Sequence, residues 1–141
     1  MADAVVFDTS ACFAFLENES GADIVETYLF EARKKLVVVH VSFVSLTEVE
    51  YITIQERSAA DATAVLAKMS GWPVRWHHTD DVLCGEAARL KAAHRISFAD
   101  AFVAATTLRL NATLVHKDKE FDALKGIIKL QPLPPKTTEG C

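Results

Sequence analysis

Short apolar runs alternate with segments of helical periodicity along this chain of 141 residues. The apolar runs predict strands at residues 5–8, 36–40, 74–77, 113–116 and 127–130. The segments between them predict helices at 10–17, 21–35, 43–56, 58–70, 80–94 and 98–110, with a helical turn over 119–124. Strands that alternate with helices indicate βαβ units, and therefore a parallel sheet covered on both faces.

We therefore predict an α/β fold with a central parallel sheet of four to five strands, in one domain over residues 1–131. The segment 43–56 is ambiguous, because its β-branched and aromatic residues favour a strand whereas its length and the Ser42 start favour a helix; we predict a helix. From Pro132 the sequence is PLPPKTTEGC, which cannot extend a helix or a central strand. Residues 132–141 are predicted to be a flexible tail.

The overall charge limits the class of partner. The formal net charge is −4, whereas a general nucleic-acid binder is usually basic because phosphate contacts dominate its affinity. A bound metal and a few Lys and Arg side chains could still supply positive charge locally. No apolar run reaches the roughly 18 residues that a membrane span needs, and the first residues lack the basic segment of a signal peptide. We expect a cytoplasmic protein that does not contact a membrane.

The three cysteines show no C-x-x-C spacing, which argues against a disulfide framework and against a zinc site. We predict that Cys12 and Cys84 are small apolar packing residues.

Three acidic residues lie where a parallel sheet would bring their side chains together. Asp8 and Asp118 follow predicted strands, and Asp100 lies in an almost wholly apolar helical segment. In open α/β sheets ligands bind at the carboxyl ends of the strands, and Asp100 at the start of its helix can point to the same edge. Taken singly, each acid has a structural explanation, as a helix N-cap or as part of a capping box with Ser97.

A fourth acid comes from the predicted helix 43–56. Both Glu48 and Glu50 have apolar neighbours three and four residues away, so periodicity alone does not choose between them.

Clustered carboxylates repel one another: two of them about 5 Å apart, at an effective dielectric constant of ~20, cost about 3 kcal/mol. A divalent cation offsets this cost, and Mg²⁺ is held by a few carboxylates together with waters and substrate phosphates. The acids therefore indicate a metal-dependent enzyme that acts on phosphate esters.

Four segments around these acids resemble the motifs of the PIN-domain family. They are VVFDTSA at 5–11, VSFVSLTEV at 41–49, ISFADAFVAAT at 96–106 and NATLVHKDKEF at 111–121. The second segment selects Glu48 over Glu50. The resemblance extends from about residue 4 to residue 131 and implies a PIN-like α/β/α sandwich. Short single-domain chains of this kind are similar to VapC-type toxins of toxin–antitoxin pairs.

The resemblance implies a ribonuclease that depends on Mg²⁺ or Mn²⁺ and uses Asp8, Glu48, Asp100 and Asp118 as catalytic acids. We expect Asp8 and Asp100 to make the most direct metal contacts and Asp118 to complete the metal site. Glu48 is expected to hold a water molecule of the metal. Oxygen ligands suit these two cations, whereas sets rich in His or Cys suit zinc.

Thr9, Ser10 and Glu120 are expected to support the site. Thr9 or Ser10 could hydrogen-bond a carboxylate or a substrate phosphate. Glu120 stands where relatives often carry a further acid, and it either contributes through water or only caps the turn. His116 occupies a position at which many relatives have Thr or Ser.

The resemblance alone implies two protein partners, an antitoxin that inhibits the enzyme and a second copy in a homodimer. Two other functions stay open at this stage. One is a catalytically idle PIN-fold module that binds RNA or protein, which the presence of all four acids disfavours. The other is a nuclease or phosphatase that acts on DNA or small phosphate esters, because metal chemistry at a phosphodiester is indifferent to the 2′-OH.

Overall fold

The computed structural model describes residues 3–135, and these residues form five strands, six α-helices and one 3₁₀ helix. The strands are β1 Asp3–Phe7, β2 Val37–Ser42, β3 Val74–His77, β4 Thr113–His116 and β5 Lys129–Pro132. The α-helices are α1 Thr9–Leu16, α2 Ala22–Arg33, α3 Phe43–Glu56, α4 Ala59–Ser70, α5 Asp81–Ala93 and α6 Phe98–Arg109. The 3₁₀ helix spans Lys119–Leu124.

The five strands form one parallel sheet in the order β3-β2-β1-β4-β5. The predicted α/β fold with a parallel sheet of four to five strands is thereby confirmed. From β1 the chain proceeds outward through β2 and β3, and it then crosses to the other side of β1 to form β4 and β5. The strand order thus reverses between β1 and β4, and ligands bind at such a switch point in open α/β sheets.

Helices cover both faces of the sheet, and each face has its own hydrophobic core. On one face, Phe7 and Val115 pack with apolar residues of α1 to α4. On the other face, Val6 and Leu114 pack with α5, α6 and the 3₁₀ helix. Because both faces are buried, the central strands are apolar at nearly every position, as is typical of parallel sheets.

The ambiguous segment 43–56 is helical over its full predicted length, so the prediction of α3 is confirmed. Ser42 is its N-cap, and the Ser42 hydroxyl accepts a hydrogen bond from the backbone N–H of Val44 at 3.3 Å. Val44 and Val49 of this helix enter the two different cores. The cap and this packing outweigh the β-propensity of the side chains.

The prediction of the last strand is wrong by two residues, because the chain turns at Gly126 and pairs with β4 only from Lys129 onward. Gly126 has a φ of +85°, a conformation that glycine adopts without strain. The prediction for Cys84 is also wrong, since this residue is exposed at the start of α5, whereas Cys12 is buried as predicted.

The chain stays packed against the domain beyond residue 131. The Leu133 side chain is buried in the core beside α1 and α2, and its backbone N–H donates to the carbonyl of His116 at 2.6 Å. Residues 136–141 of the predicted tail lie outside the described residues. Within residues 3–135, no helix is long and apolar enough to cross a membrane.

Candidate active site

The predicted acids meet at the carboxyl edge of the sheet, beside the switch point between β1 and β4. Asp8 directly follows β1, and its backbone N–H donates to the carbonyl of Val115 in β4 at 3.2 Å. Asp118 lies just beyond β4 and caps the 3₁₀ helix. Asp100 lies in the first turn of α6, where the Ser97 hydroxyl accepts its backbone N–H at 3.1 Å. The strand ends and the start of α6 therefore converge on one place.

Asp100, Asp118 and Glu120 form the tightest cluster of acids. One carboxylate oxygen of each lies within 4.8 Å of the others. Glu120 joins the cluster because the chain turns into the 3₁₀ helix directly after Asp118, whose side chain accepts the Glu120 N–H at 2.9 Å. The sequence leaves the role of Glu120 open, and the structure places this side chain beside Asp100 and Asp118.

The carboxyl group of Asp100 is buried among other acids. Its Oδ2 atom has no hydrogen-bond partner among the described residues. Burial raises the pKa of Asp100 far above its usual range, and the adjacent carboxyl groups of Glu120, Asp118 and Asp8 raise it further. Each of these contributions disfavours the charged form, so this carboxylate needs either a proton or a cation.

Asp8 lies beside this cluster but has partners of its own. Its Oδ1 atom accepts the backbone N–H of Ala11 at 2.7 Å, so Asp8 is also the N-cap of α1. The Ser10 hydroxyl lies 2.7 Å from both carboxylate oxygens of Asp8 and accepts the Lys117 backbone N–H at 2.8 Å. Burial raises the pKa of Asp8 to about 7, while the bonds from Ser10 and Ala11 oppose that rise.

Glu48 reaches the site from α3 and is bonded to the residue next to Asp8. The Thr9 hydroxyl donates to Oε1 of Glu48 at 2.5 Å and lies 3.0 Å from the hydroxyl of Ser45. Glu50 is exposed on the same helix. Of the two glutamates that periodicity leaves open, Glu48 is therefore the one directed toward the other acids.

The donor set fits a hard divalent cation. It consists of carboxylate oxygens, one of which is buried without a partner, and His and Cys do not take part in the cluster of Asp100, Asp118 and Glu120. Mg²⁺ and Mn²⁺ prefer such oxygen ligands. A bound cation would supply the positive charge that the buried carboxyl groups lack.

Lys117 and His116 directly precede Asp118, and neither side chain is bonded to a carboxyl group of the site. The Lys117 ammonium donates to the Ser20 carbonyl at 2.9 Å and lies 3.7 Å from Glu19. His116 is buried, packs edge-on against Phe121 and has no partner for either ring nitrogen among residues 3–135. Burial lowers the pKa of His116, which favours a neutral ring.

Sequence reasoning missed two features. The first is Ser45, which contacts Thr9 across 36 positions of the chain. The second is a pair of histidines in which Nδ1 of His40 lies 2.6 Å from Nε2 of His77. Both histidines lie on neighbouring strands at positions that share one face of the sheet. The strand register, which the sequence does not reveal, is the only signal that could have predicted this contact.

Comparison with solved structures shows the same architecture in bacterial toxin–antitoxin proteins. The structure of DNA-bound VapBC from Salmonella typhimurium matches with a TM-score of 0.74 at 16% identity, covering 94% of this chain and 98% of that chain. VapBC2 from Rickettsia felis, bound to a promoter DNA fragment, matches with a TM-score of 0.73 at 17% identity, covering 93% and 99%. VapC20 from Mycobacterium tuberculosis, described as a toxin that cleaves the sarcin–ricin loop, matches with a TM-score of 0.69 at 22% identity, covering 91% and 99%.

These identities establish a shared fold. No curated protein matches the sequence. The model of one protein family, the PIN domain, matches residues 5–127, a range that contains every acid of the site. The chain belongs to the PIN-domain family.

Proposed function

We propose that this protein is an endoribonuclease that depends on Mg²⁺ or Mn²⁺ and acts as the toxin of a toxin–antitoxin pair. The observation that carries the proposal is the buried Asp100 Oδ2, which lacks a partner beside Asp118 and Glu120. A fold gains nothing from such a cluster unless a ligand occupies it, because buried carboxylates without partners are costly. Membership of the PIN-domain family supports the assignment to nucleases.

Each residue of the site would have its own role in phosphodiester hydrolysis. When bound, the cation would neutralise a phosphate oxygen and lower the pKa of the attacking water. The resemblance implies that Asp8 and Asp100 make the most direct metal contacts; because Asp100, Asp118 and Glu120 form the tightest cluster, we propose instead that these three bind the cation and that Asp8 completes the site from the end of β1. Glu48 would orient the attacking water and accept its proton. Ser10 and Thr9 would hold Asp8 and Glu48 in place through the hydrogen bonds described above.

The substrate and partners are proposed from the solved structures with the same fold. VapC20 of Mycobacterium tuberculosis is described as a toxin that cleaves the sarcin–ricin loop, and VapBC-5 of the same organism is described as a member of a family of toxin–antitoxin systems. We propose by analogy that this protein cleaves a structured RNA in the cytoplasm, forms a homodimer and is inhibited by a cognate antitoxin. Residues 1–131 would form the nuclease domain.

The test is the cleavage of a panel of structured RNAs by the purified protein with Mg²⁺, with Mn²⁺ and with EDTA. Two variants accompany the wild type: Asp100→Asn, and the control Asp61→Asn, which removes an exposed carboxylate on α4. The proposal predicts discrete cuts that need a metal, persist in Asp61→Asn and disappear in Asp100→Asn. Metal binding without cleavage of RNA, or of a parallel DNA panel, would favour an idle binding module.

A further inference from the structure

Two hydroxyl groups connect Glu48 to the first turn of α1, and donor chemistry fixes the direction of their hydrogen bonds. The Thr9 Oγ1 atom lies 2.5 Å from Oε1 of Glu48 and 3.0 Å from Oγ of Ser45. A hydroxyl has one hydrogen, and an ionised carboxylate can only accept. Thr9 therefore donates to Glu48, and Ser45 donates to the lone pair that Thr9 offers.

These two hydrogen bonds, from Ser45 to Thr9 and from Thr9 to Glu48, form a relay that Ser45 anchors. Ser45 is fully buried in the first turn of α3, and Glu48 lies three residues later on the same side of the helix. Thr9 directly follows Asp8 at the junction of β1 and α1. The relay thus links an acid of α3 to the strand end that carries Asp8, although the two acids lie on different elements.

The relay restricts the conformations that the Glu48 side chain can adopt. A glutamate side chain has several rotatable bonds, and Glu48 is only partly buried. The charge-assisted bond from Thr9 selects one orientation of its carboxylate, and the bond from Ser45 selects one orientation of the Thr9 hydroxyl.

We propose that Ser45 and Thr9 are positioning residues that hold the Glu48 carboxylate toward the proposed cation site. This inference rests on the proposed metal-dependent function. Outer partners of metal-binding groups typically contribute about 10- to 100-fold to metal affinity or activity. Because Glu48 would contact the cation through a water molecule, we expect Thr9→Val, which removes only the hydroxyl and keeps the branched shape, to weaken Mn²⁺ binding by up to about tenfold. Ser45→Ala acts one bond further away and is expected to weaken it less.

The experiment is calorimetric titration of the metal-free protein with Mn²⁺, with kcat and KM for RNA cleavage as a second readout. Thr9→Ser keeps the hydroxyl and is expected to restore binding. Thr107→Val is the matched control, because its buried hydroxyl donates to the Val103 carbonyl inside α6 at 2.8 Å. It should bind Mn²⁺ as the wild type does.

The decisive comparison repeats Thr9→Val and Ser45→Ala in a Glu48→Gln background. If both residues act through Glu48, they lower Mn²⁺ affinity little further once the carboxylate is gone. Full additivity, or wild-type affinity in both single variants, would overturn this inference and leave the proposed function standing. Absence of Mn²⁺ binding by the wild type would overturn both. If Ser45→Ala does not fold, the comparison of Thr9→Val with Thr9→Ser at the half-buried position 9 tests the inference.

Discussion

The two halves of the acidic site are built in different ways. Asp8 and Glu48 accept hydrogen bonds from neighbouring hydroxyl and backbone groups, so the protein itself holds them in place. In the cluster of Asp100, Asp118 and Glu120, one buried oxygen has no partner among the described residues. Burial raises the pKa of both Asp8 and Asp100, but hydrogen bonds oppose that rise at Asp8, whereas every side chain that shifts the pKa of Asp100 is an acid that raises it further.

This difference favours the second half, the cluster of Asp100, Asp118 and Glu120, as the half that binds a ligand. A carboxylate that the fold needs for its own stability is given donors, as Asp8 is at the start of α1. A carboxylate that lacks them makes the metal-free protein less stable and is retained where a cation completes it. On the proposed function, hydrogen bonds orient Asp8 and Glu48, whereas the cluster of Asp100, Asp118 and Glu120 makes the main contacts to the cation.

Glu120→Gln tests whether the second half acts as a set of three. We expect this change to lower kcat/KM for RNA cleavage by about 10²-fold or more, because loss of one ligand charge weakens the metal's stabilisation of the transition state by several kcal/mol. Glu50→Gln on the exposed side of α3 is the control and should keep full activity. Wild-type cleavage by Glu120→Gln would reduce this residue to a structural cap.

Asp8→Asn tests the electrostatic cost of the first half. The Asp8 carboxyl has a pKa of about 7 in the folded protein and 3.8 as its ordinary value. Between these pH values the folded state keeps a proton that the unfolded state has lost, so stability falls as the pH rises. In EDTA, the stability of Asp8→Asn relative to the wild type should therefore grow from about pH 4 to about pH 7, by at most ~4 kcal/mol. Parallel urea-unfolding profiles across this range would contradict the assignment.

The His40–His77 pair on β2 and β3 should respond to pH with the opposite sign. Burial, together with the neighbouring His77 and Arg75, lowers the pKa of His40 from 6.5 to about 4. The unfolded chain binds this proton first, so stability falls as the pH falls from about 6.5 to about 4, by at most ~3 kcal/mol.

A His40→Leu variant checks this contribution, since it should flatten that part of the stability profile. Saturating Mn²⁺ should change the Asp8 profile and leave the His40 profile unchanged, which separates the site from the rest of the sheet. An equal effect of Mn²⁺ on both profiles would show that the cation binds elsewhere.

Ser10→Ala should give the smallest effect. It removes one hydrogen bond from Asp8 and leaves the Lys117 N–H without its acceptor, at a cost of about 1–2 kcal/mol in the free energy of unfolding. Cleavage should fall about tenfold because Asp8 loses an outer partner. Ser70→Ala on α4, whose hydroxyl donates to the Ala67 carbonyl, is the control. An unchanged unfolding free energy in Ser10→Ala would show that Asp8 is not anchored as described.

Much of the fold could be predicted from the sequence, because local and tertiary preferences agree there. The strand Thr113–His116 and the helix Phe43–Glu56 match their predicted limits, since each has clear end signals and faces a buried core. The predicted position of the last strand is two residues too early, because its start depends on the turn at Gly126 and on pairing with β4. No local pattern carries that information.

The site was predictable as a group of acids but not in its geometry. The positions of Asp8 and Asp118 follow from strand ends, which all parallel strands place at one edge. The closeness of Glu120 depends on a 3₁₀ helix after Asp118, and the Thr9–Ser45 contact joins residues 36 positions apart. Both depend on how separate elements pack, and periodicity does not determine that.

The most direct test of a cation site in the second half is the affinity of the metal-free protein for Mn²⁺, measured by calorimetry for the wild type, Asp100→Asn and Asp61→Asn. We predict that the wild type and Asp61→Asn bind Mn²⁺ alike. Asp100→Asn should lose most of this affinity while remaining folded, because it lacks the buried carboxylate that the cation would complete. Equal Mn²⁺ affinity in all three proteins, or no binding by the wild type, would contradict this conclusion.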